Sequence, residues 1–137
     1  MNMAWMIMVL MKKKEKALLY SKSRTICHAI DKAISSKYNV IEVISSDEID
    51  KVIKQQREIR IIIADLSNDE DDGKLIMDYL DNNKDIAGIP KIAVCKESNI
   101  EQCKIAIQGG VVDLMMEPIE KDIVRRRVSR IIKDEEK

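Results

Sequence analysis

Short apolar runs alternate with amphipathic stretches along the chain from Lys16 onward. The runs are five or six residues long and rich in Ile and Val, which is typical of strands buried in a sheet. They predict strands at 16–20, 39–44, 59–64, 91–95 and 111–115. Each run is followed by a stretch in which apolar residues recur at spacings of three and four, and this spacing predicts a helix with one buried face.

Strand and helix therefore alternate five times, and the third strand contains an unbroken Ile run. This order predicts an α/β fold, a doubly wound five-stranded parallel sheet with helices on both faces. The predicted buried faces are Ile26, Ala29, Ile30, Ala33 and Ile34 in the first helix, Ile49, Val52 and Ile53 in the second, Ile76, Met77 and Leu80 in the third, Ile100, Cys103 and Ile107 in the fourth, and Ile119, Ile123, Val124, Val128, Ile131 and Ile132 in the last.

A chain of 137 residues with 45% apolar content is one ordinary domain. We expect residues 16–137 to form that domain and residues 1–15 to be an extension, apolar at first and then basic. The 24 basic and 24 acidic residues balance, which argues against attraction to nucleic acid or a membrane by overall charge. Cys27, Cys95 and Cys103 lack metal-site or disulfide-framework spacing, and this favours reduced thiols in a cytoplasmic protein.

The first eleven residues, "MNMAWMIMVLM", are apolar and are followed by "KKKEK". A signal peptide carries its basic residues before the apolar stretch, and a membrane span needs about 20 residues, so neither is expected. Two interpretations remain open. The stretch is an extension ahead of a natural start at Met11, or it is an apolar arm that packs on its own domain or on a partner.

In a doubly wound sheet, ligands and chemistry gather beyond the carboxyl ends of the strands. Gly109 and Gly110 form neither a dinucleotide-binding loop nor a Walker loop, which argues against a nucleotide site. The candidate pocket is therefore expected among the strand-end residues, namely Tyr20, Ser21 and Lys22 after the first strand, Asp65 after the third, Cys95 and Lys96 after the fourth, and Met116, Glu117 and Pro118 after the fifth.

The pieces "IIIADLSNDEDDG", "IPKIAVC" and "GGVVDLMMEPI" together resemble the receiver domain of two-component response regulators, a flavodoxin-like fold. The resemblance covers roughly residues 16 to 135 and all five strands in the expected order. It implies that Asp65 stands at the phosphoacceptor position. It also implies a cis peptide bond between Glu117 and Pro118.

The residues around Asp65 depart from the family pattern, which sets an acidic pair at the end of the first strand to help hold Mg²⁺. Those positions fall on Ser21 and Lys22, or on Tyr20 and Ser21 if the alignment shifts by one. Mg²⁺ would be left with Asp65 and the carbonyl of Ser67 as protein ligands, so we expect no resident metal or cofactor and at most a weak Mg²⁺ site if Asp65 is phosphorylated.

Three further positions differ. The family's phosphate-contacting lysine is Glu117, whose charge would repel an incoming phosphoryl dianion. The family's switch hydroxyl is Cys95 and its switch aromatic is Leu114. We hypothesise that Lys22 forms an ion pair with Asp65 or Glu117 in the space a metal would fill.

The functional prediction is a stand-alone, degenerate receiver in phosphorelay signalling. It would be a pseudo-receiver that binds a protein partner without Mg²⁺-dependent phosphorylation. One alternative is a true phosphoacceptor in which a histidine kinase phosphorylates Asp65. A more distant alternative is a small-molecule-binding domain of the same fold. We expect no enzymatic activity beyond, at most, turnover of an aspartyl phosphate on the chain itself.

The predicted partner is a histidine kinase or a downstream signalling protein, bound through the last two helices and strand five. A homodimer is the other predicted assembly.

Two charged stretches of the sequence are also interpreted. "VRRRVSR" at 124–130 is interpreted as a solvated or protein-docking face, because neighbouring "KDEEK" and the zero net charge argue against nucleic acid. The acidic residues 69–72 are interpreted as a solvated loop that caps the third helix.

Overall fold

Strands and helices alternate along the chain in the computed structural model, which describes residues 3–4, 14–55, 58–68 and 70–136. The interpretations of the N-terminal stretch and of Asp69 lie outside these residues. The strands are β1 (Glu15–Tyr20), β2 (Tyr38–Val43), β3 (Ile59–Asp65), β4 (Lys91–Lys96) and β5 (Asp113–Glu117). The helices of the βα units are α1 (Arg24–Ile34), α2 (Ser46–Gln55), α3 (Glu70–Asn82), α4 (Ile100–Gln108) and α5 (Lys121–Glu136).

All strand pairs are parallel, and the strand order is β2-β1-β3-β4-β5. The predicted doubly wound sheet is therefore confirmed. The order reverses between β1 and β3, where Tyr20 pairs with Ala64. The residues that follow this pair are Ser21 and Asp65, so the two side chains meet at the crevice that such a reversal creates.

The sheet has a hydrophobic core on each face, because successive side chains of a strand point to opposite sides. Ile61 and Ile63 of β3 pack on the face covered by α1 and α5. Ile62 and Ala64 pack on the face covered by α2, α3 and α4. Burial on both faces explains why β3 lacks the polar alternation of a half-exposed strand.

Strand β5 begins two residues later than predicted, at Asp113 rather than residue 111. The backbone turns at Gly110, whose φ is +83°, a conformation that glycine adopts without steric cost. Val111 and Val112 then cross to the sheet, where Val112 N–H donates to the Lys91 carbonyl at 2.8 Å. The β-branched pair resembles a strand start but forms the connection.

The predicted buried face of α4 is wrong for Ile100 and Ile107, although Cys103 does pack against the core, and Ile123, predicted on the buried face of α5, is exposed. Ile100 and Ile107 are 69% and 63% exposed, whereas Gln102 and Ala106 are buried. The reason is a tertiary hydrogen bond: the Gln102 side-chain carbonyl accepts from the Lys96 backbone N–H at 2.9 Å. This bond turns the polar Gln102 inward, and the two isoleucines face outward as a result.

Among the described residues, no helix is both long and apolar enough to span a membrane.

Candidate functional site

The carboxylate of Asp65 lies at the carboxyl end of the central strand β3 and is completely buried. Its Oδ2 accepts a hydrogen bond from Ser21 Oγ at 2.6 Å. Its Oδ1 accepts two more, from Ser67 N–H at 2.9 Å and from Ser67 Oγ at 2.5 Å. A buried charge is tolerable only when it is well hydrogen-bonded, and both oxygens of this carboxylate are.

The local sequence explains why serines reach Asp65. Strand β1 ends at Tyr20, and Ser21 N–H still bonds to the Val43 carbonyl at 3.1 Å, so the chain stays extended there. Ser21 Oγ also accepts from Ser23 N–H at 3.0 Å, which holds the hydroxyl in place ahead of α1. Ser67 follows two residues after Asp65 and folds its amide back onto the carboxylate, an Asx-type turn.

The hypothesis that Lys22 pairs with Asp65 or Glu117 is wrong. Lys22 Nζ lies 2.9 Å from Asp72 Oδ1, and its side chain is 49% exposed. Ser21 is the residue that turns inward, so Lys22 points toward solvent and meets the first turn of α3. The hydroxyl of Tyr20 donates to Asp72 Oδ2 at 2.9 Å and completes this cluster.

The sequence interpretation missed Asp72, which it assigned to a solvated loop. Asp72 lies within α3 and joins that helix to the end of β1. No local pattern distinguishes it from its acidic neighbours. Only the approach of α3 to β1, across 50 residues of chain, identifies its role.

The other predicted site residues lie on the neighbouring strands. Glu117 is the last residue of β5, and the Glu117–Pro118 peptide bond is cis, as expected. Cys95 is buried in β4 on the face of α2, α3 and α4. Burial, reinforced by the nearby Cys103 sulfur and Asp65 carboxylate, raises the pKa of the Cys95 thiol to about 12. Cys95 is therefore a small apolar group here and not a nucleophile.

The residues around Asp65 do not fit a Mg²⁺ ion. Mg²⁺ prefers oxygen ligands in near-octahedral geometry and usually binds through one or two carboxylates. Both oxygens of Asp65 already accept hydrogen bonds from Ser21 and Ser67, and Lys22, which turns toward Asp72, supplies no oxygen ligand. Within the described ranges there is no group of three or more acidic, His or Cys side chains that could hold a metal.

Three of the four arginines of the "VRRRVSR" stretch bind the protein itself. Arg125 Nε donates to the Ala33 carbonyl at 2.7 Å and joins α5 to α1. Arg127 and Arg130 lie 2.6 Å and 3.2 Å from the two carboxylate oxygens of Asp113. These side chains secure α5 to its neighbours, so the stretch is not simply a solvated face.

Comparison with known proteins gives structural matches only. No protein-family model and no curated protein matches the sequence. A response regulator from Thermotoga maritima superposes with a TM-score of 0.75 at 16% identity, covering 88% of this chain and 99% of that one. A chemotaxis response regulator of Vibrio cholerae superposes with a TM-score of 0.72 at 15% identity, covering 87% of this chain and 99% of that one.

A signal receiver domain from Clostridium thermocellum, of a two-component histidine kinase, gives a TM-score of 0.67 at 22% identity, covering 90% of this chain and 99% of that one. The matches extend over nearly the whole length of these structures. The chain therefore has the fold of response regulator receiver domains.

Proposed function

We propose that this chain is a receiver-type signalling module that acts by binding a protein partner and does not depend on Mg²⁺-assisted phosphorylation of Asp65. It would be a pseudo-receiver in two-component signalling, cytoplasmic, and without enzymatic activity. Its cognate molecule would be a histidine kinase or a downstream signalling protein.

One observation carries the proposal, the hydrogen-bonded and fully buried state of Asp65. A phosphoacceptor carboxylate must present an oxygen to the incoming phosphorus atom. Here Ser21 donates a hydrogen bond to Oδ2, and Ser67 donates two to Oδ1. Hydrogen bonds to a charged group contribute about 1.5 to 3 kcal/mol each, so exposing either oxygen to a phosphodonor would be costly.

The charges around the site support the same conclusion. Phosphoryl transfer relies on cations that neutralise the phosphoryl oxygens. Glu117 ends β5 where the receiver family has its lysine. A carboxylate there repels the phosphoryl oxygens and destabilises the transition state of the transfer. Lys22 is committed to Asp72 at the edge of the site.

The proposed partner surface is formed by α4, β5 and α5. Apolar side chains are exposed along it, at Ile100 and Ile107 of α4, Val112 and Met116 around β5, and Ile123 of α5. Exposed apolar side chains on these three consecutive elements support the surface, because protein interaction sites commonly carry exposed apolar groups. A second copy of the chain could use the same surface, and light scattering would identify a homodimer.

The decisive experiment exposes the protein to acetyl phosphate, and separately to beryllofluoride, with Mg²⁺. We expect no mass increase by intact-protein mass spectrometry and no change in the amide NMR spectrum. A phosphoryl adduct that forms on the wild-type chain and vanishes in Asp65→Asn would overturn the proposal.

A restored variant makes a negative result informative. Ser21→Asp, Lys22→Asp and Glu117→Lys together return the acidic pair and the cation of the family pattern. We expect this variant to bind Mg²⁺ and to accept a phosphoryl group on Asp65. Its reaction under the same conditions would show that the reagents work and that the altered residues block the wild-type chain.

The main alternative is a true phosphoacceptor. It is favoured by the position of Asp65, which ends the central strand beside the reversal in strand order. It requires the hydrogen bonds of Ser21 and Ser67 to open when the phosphodonor binds. The acetyl phosphate experiment separates the two functions.

A further inference from the structure

A cavity of about 500 Å³ lies between the first turns of α1 and the connection from β5 to α5. Its wall is apolar along Ile26 and Ala29 of α1 and along Pro118 and Ile119 of the connection. Pockets that bind small organic molecules have this size and combine an apolar wall with a few polar groups. Of the described residues that line the cavity, only Glu117 carries a charge.

Two acidic side chains near the carboxyl ends of the strands already have partners. Asp65 is hydrogen-bonded to two serines, and Asp72 is paired with Lys22. Within the described part of the chain, the Glu117 carboxylate has neither a hydrogen bond nor an ion pair. It is therefore available to a positive charge from outside the domain.

Glu117 is also reachable from a second side. A cavity of about 480 Å³ is lined by Lys96, Glu97, Ser98 and Glu117. Lys96 is the register neighbour of Glu117 on β4 and lines the same cavity, and among the described residues no ion pair joins the two. The carboxylate thus stands between an apolar cavity and a polar one, an arrangement suited to a molecule with a charged head and an apolar chain.

We propose that the cavity beside Pro118 binds a small organic cation, an aliphatic ammonium or guanidinium group whose charge meets Glu117. The apolar chain of the ligand lies against Ile26, Ala29 and Ile119. A neutral apolar ligand would leave the carboxylate unpaired, and a carboxylate ligand would be repelled. The cation is either a free amine or a lysine or arginine side chain, which share this chemistry.

The rival ligand is an anion at the amino end of α1, where the helix dipole is positive. Two features weaken that interpretation. The Ser23 hydroxyl already accepts the Ile26 N–H at 3.2 Å and caps the helix. Glu117 adds a negative charge to the same cavity. The chemistry of the lining therefore favours a cation.

The test is an amide NMR titration of the full chain with n-pentylamine, beside pentanol and pentanoate. We expect saturable shifts at Ile26, Ala29 and Ile119 with the amine only. Glu117→Gln should weaken amine binding about tenfold or more, because a charge-assisted hydrogen bond becomes neutral. Glu97→Gln, which changes a carboxylate of the neighbouring cavity alone, should bind the amine as the wild type does.

Two further arms complete the experiment. Ala29→Leu fills the apolar cavity while keeping Glu117, and it should also abolish the shifts. Nα-acetyl-lysine methylamide presents the same cation as a protein side chain, and binding equal to that of pentylamine identifies a partner's lysine as a sufficient source. Preference for pentylamine identifies a free amine.

Absence of saturable shifts with both amines would overturn the proposal. Equal shifts with pentanol, or unchanged amine binding in Glu117→Gln, would overturn it as well. Since the titration involves no phosphoryl donor and no Mg²⁺, its outcome is independent of whether Asp65 accepts a phosphoryl group.

Discussion

Replacing Ser21 by Ala removes one of the three hydrogen bonds that hold the buried carboxylate of Asp65. The lost donor lies 2.6 Å from Oδ2, and that oxygen then has no protein partner among the described residues. The change also removes the acceptor for Ser23 N–H, bound at 3.0 Å. A hydrogen bond to a charged group contributes about 1.5 to 3 kcal/mol, so we expect a loss of about 2 kcal/mol in the free energy of unfolding.

Urea unfolding at pH 7, followed by far-UV circular dichroism, measures this loss. Ser98→Ala, at an exposed turn position, is the matched control and should change stability by less than about 0.5 kcal/mol. A double-mutant cycle with Asp65→Asn isolates the charge. In the background of that second substitution, Ser21→Ala should cost about 1 kcal/mol less, because neutral hydrogen bonds are roughly half as strong.

A loss of unfolding free energy below about 0.5 kcal/mol for Ser21→Ala would refute the reasoning, because removing a hydrogen-bond donor from a fully buried carboxylate should destabilise the fold by more than that. An identical loss in the wild-type and Asp65→Asn backgrounds would refute it too. That result would mean that Ser21 stabilises the chain through Ser23 and α1 and does not stabilise the charge of Asp65.

Two other substitutions test the surroundings of the site and of the sheet. Lys22→Met should cost no more than about 1 kcal/mol in the same urea assay, because the half-exposed pair with Asp72 is screened by solvent; a larger loss would indicate a buried charge partner. Lys91→Met should raise the melting temperature at pH 7, because burial lowers the pKa of Lys91 from 10.5 and the folded state carries a poorly solvated ammonium. The cost of that ammonium is full below the lowered pKa and disappears above 10.5, so the gain should shrink when melting is repeated at increasingly alkaline pH, and a gain independent of pH would exclude this cause.

The misfit of Mg²⁺ follows from a small number of side chains. A carboxylate that could coordinate a dication is instead stabilised in place by hydroxyl and amide donors. Such donors hold the charge without any ion, so the buried Asp65 needs no metal for stability. The restored variant tests this interpretation directly, because it changes the charge at three positions and leaves the apolar core unchanged.

The sequence alone determined the fold and the position of Asp65. Four of the five predicted strands agree with the structure to within one residue. β-Branched runs alternate with stretches in which apolar residues recur at spacings of three and four. This pattern is local, so it can be recognised in the sequence before any tertiary contact is known. Asp65 ends an unbroken apolar run, so its location at the edge of the sheet follows from that run.

Only the tertiary structure decided which side chains meet. The sequence led us to expect an ion pair of Lys22 with Asp65 or Glu117, yet Ser21 reaches Asp65 across 44 residues and Lys22 pairs with Asp72 across 50. Likewise, Gln102 displaces Ile100 and Ile107 from the core through its bond with the backbone of β4. Periodicity reports which face of an element is apolar on average, whereas the rotation of that element and the partner of each polar group depend on distant backbone atoms that no local pattern contains.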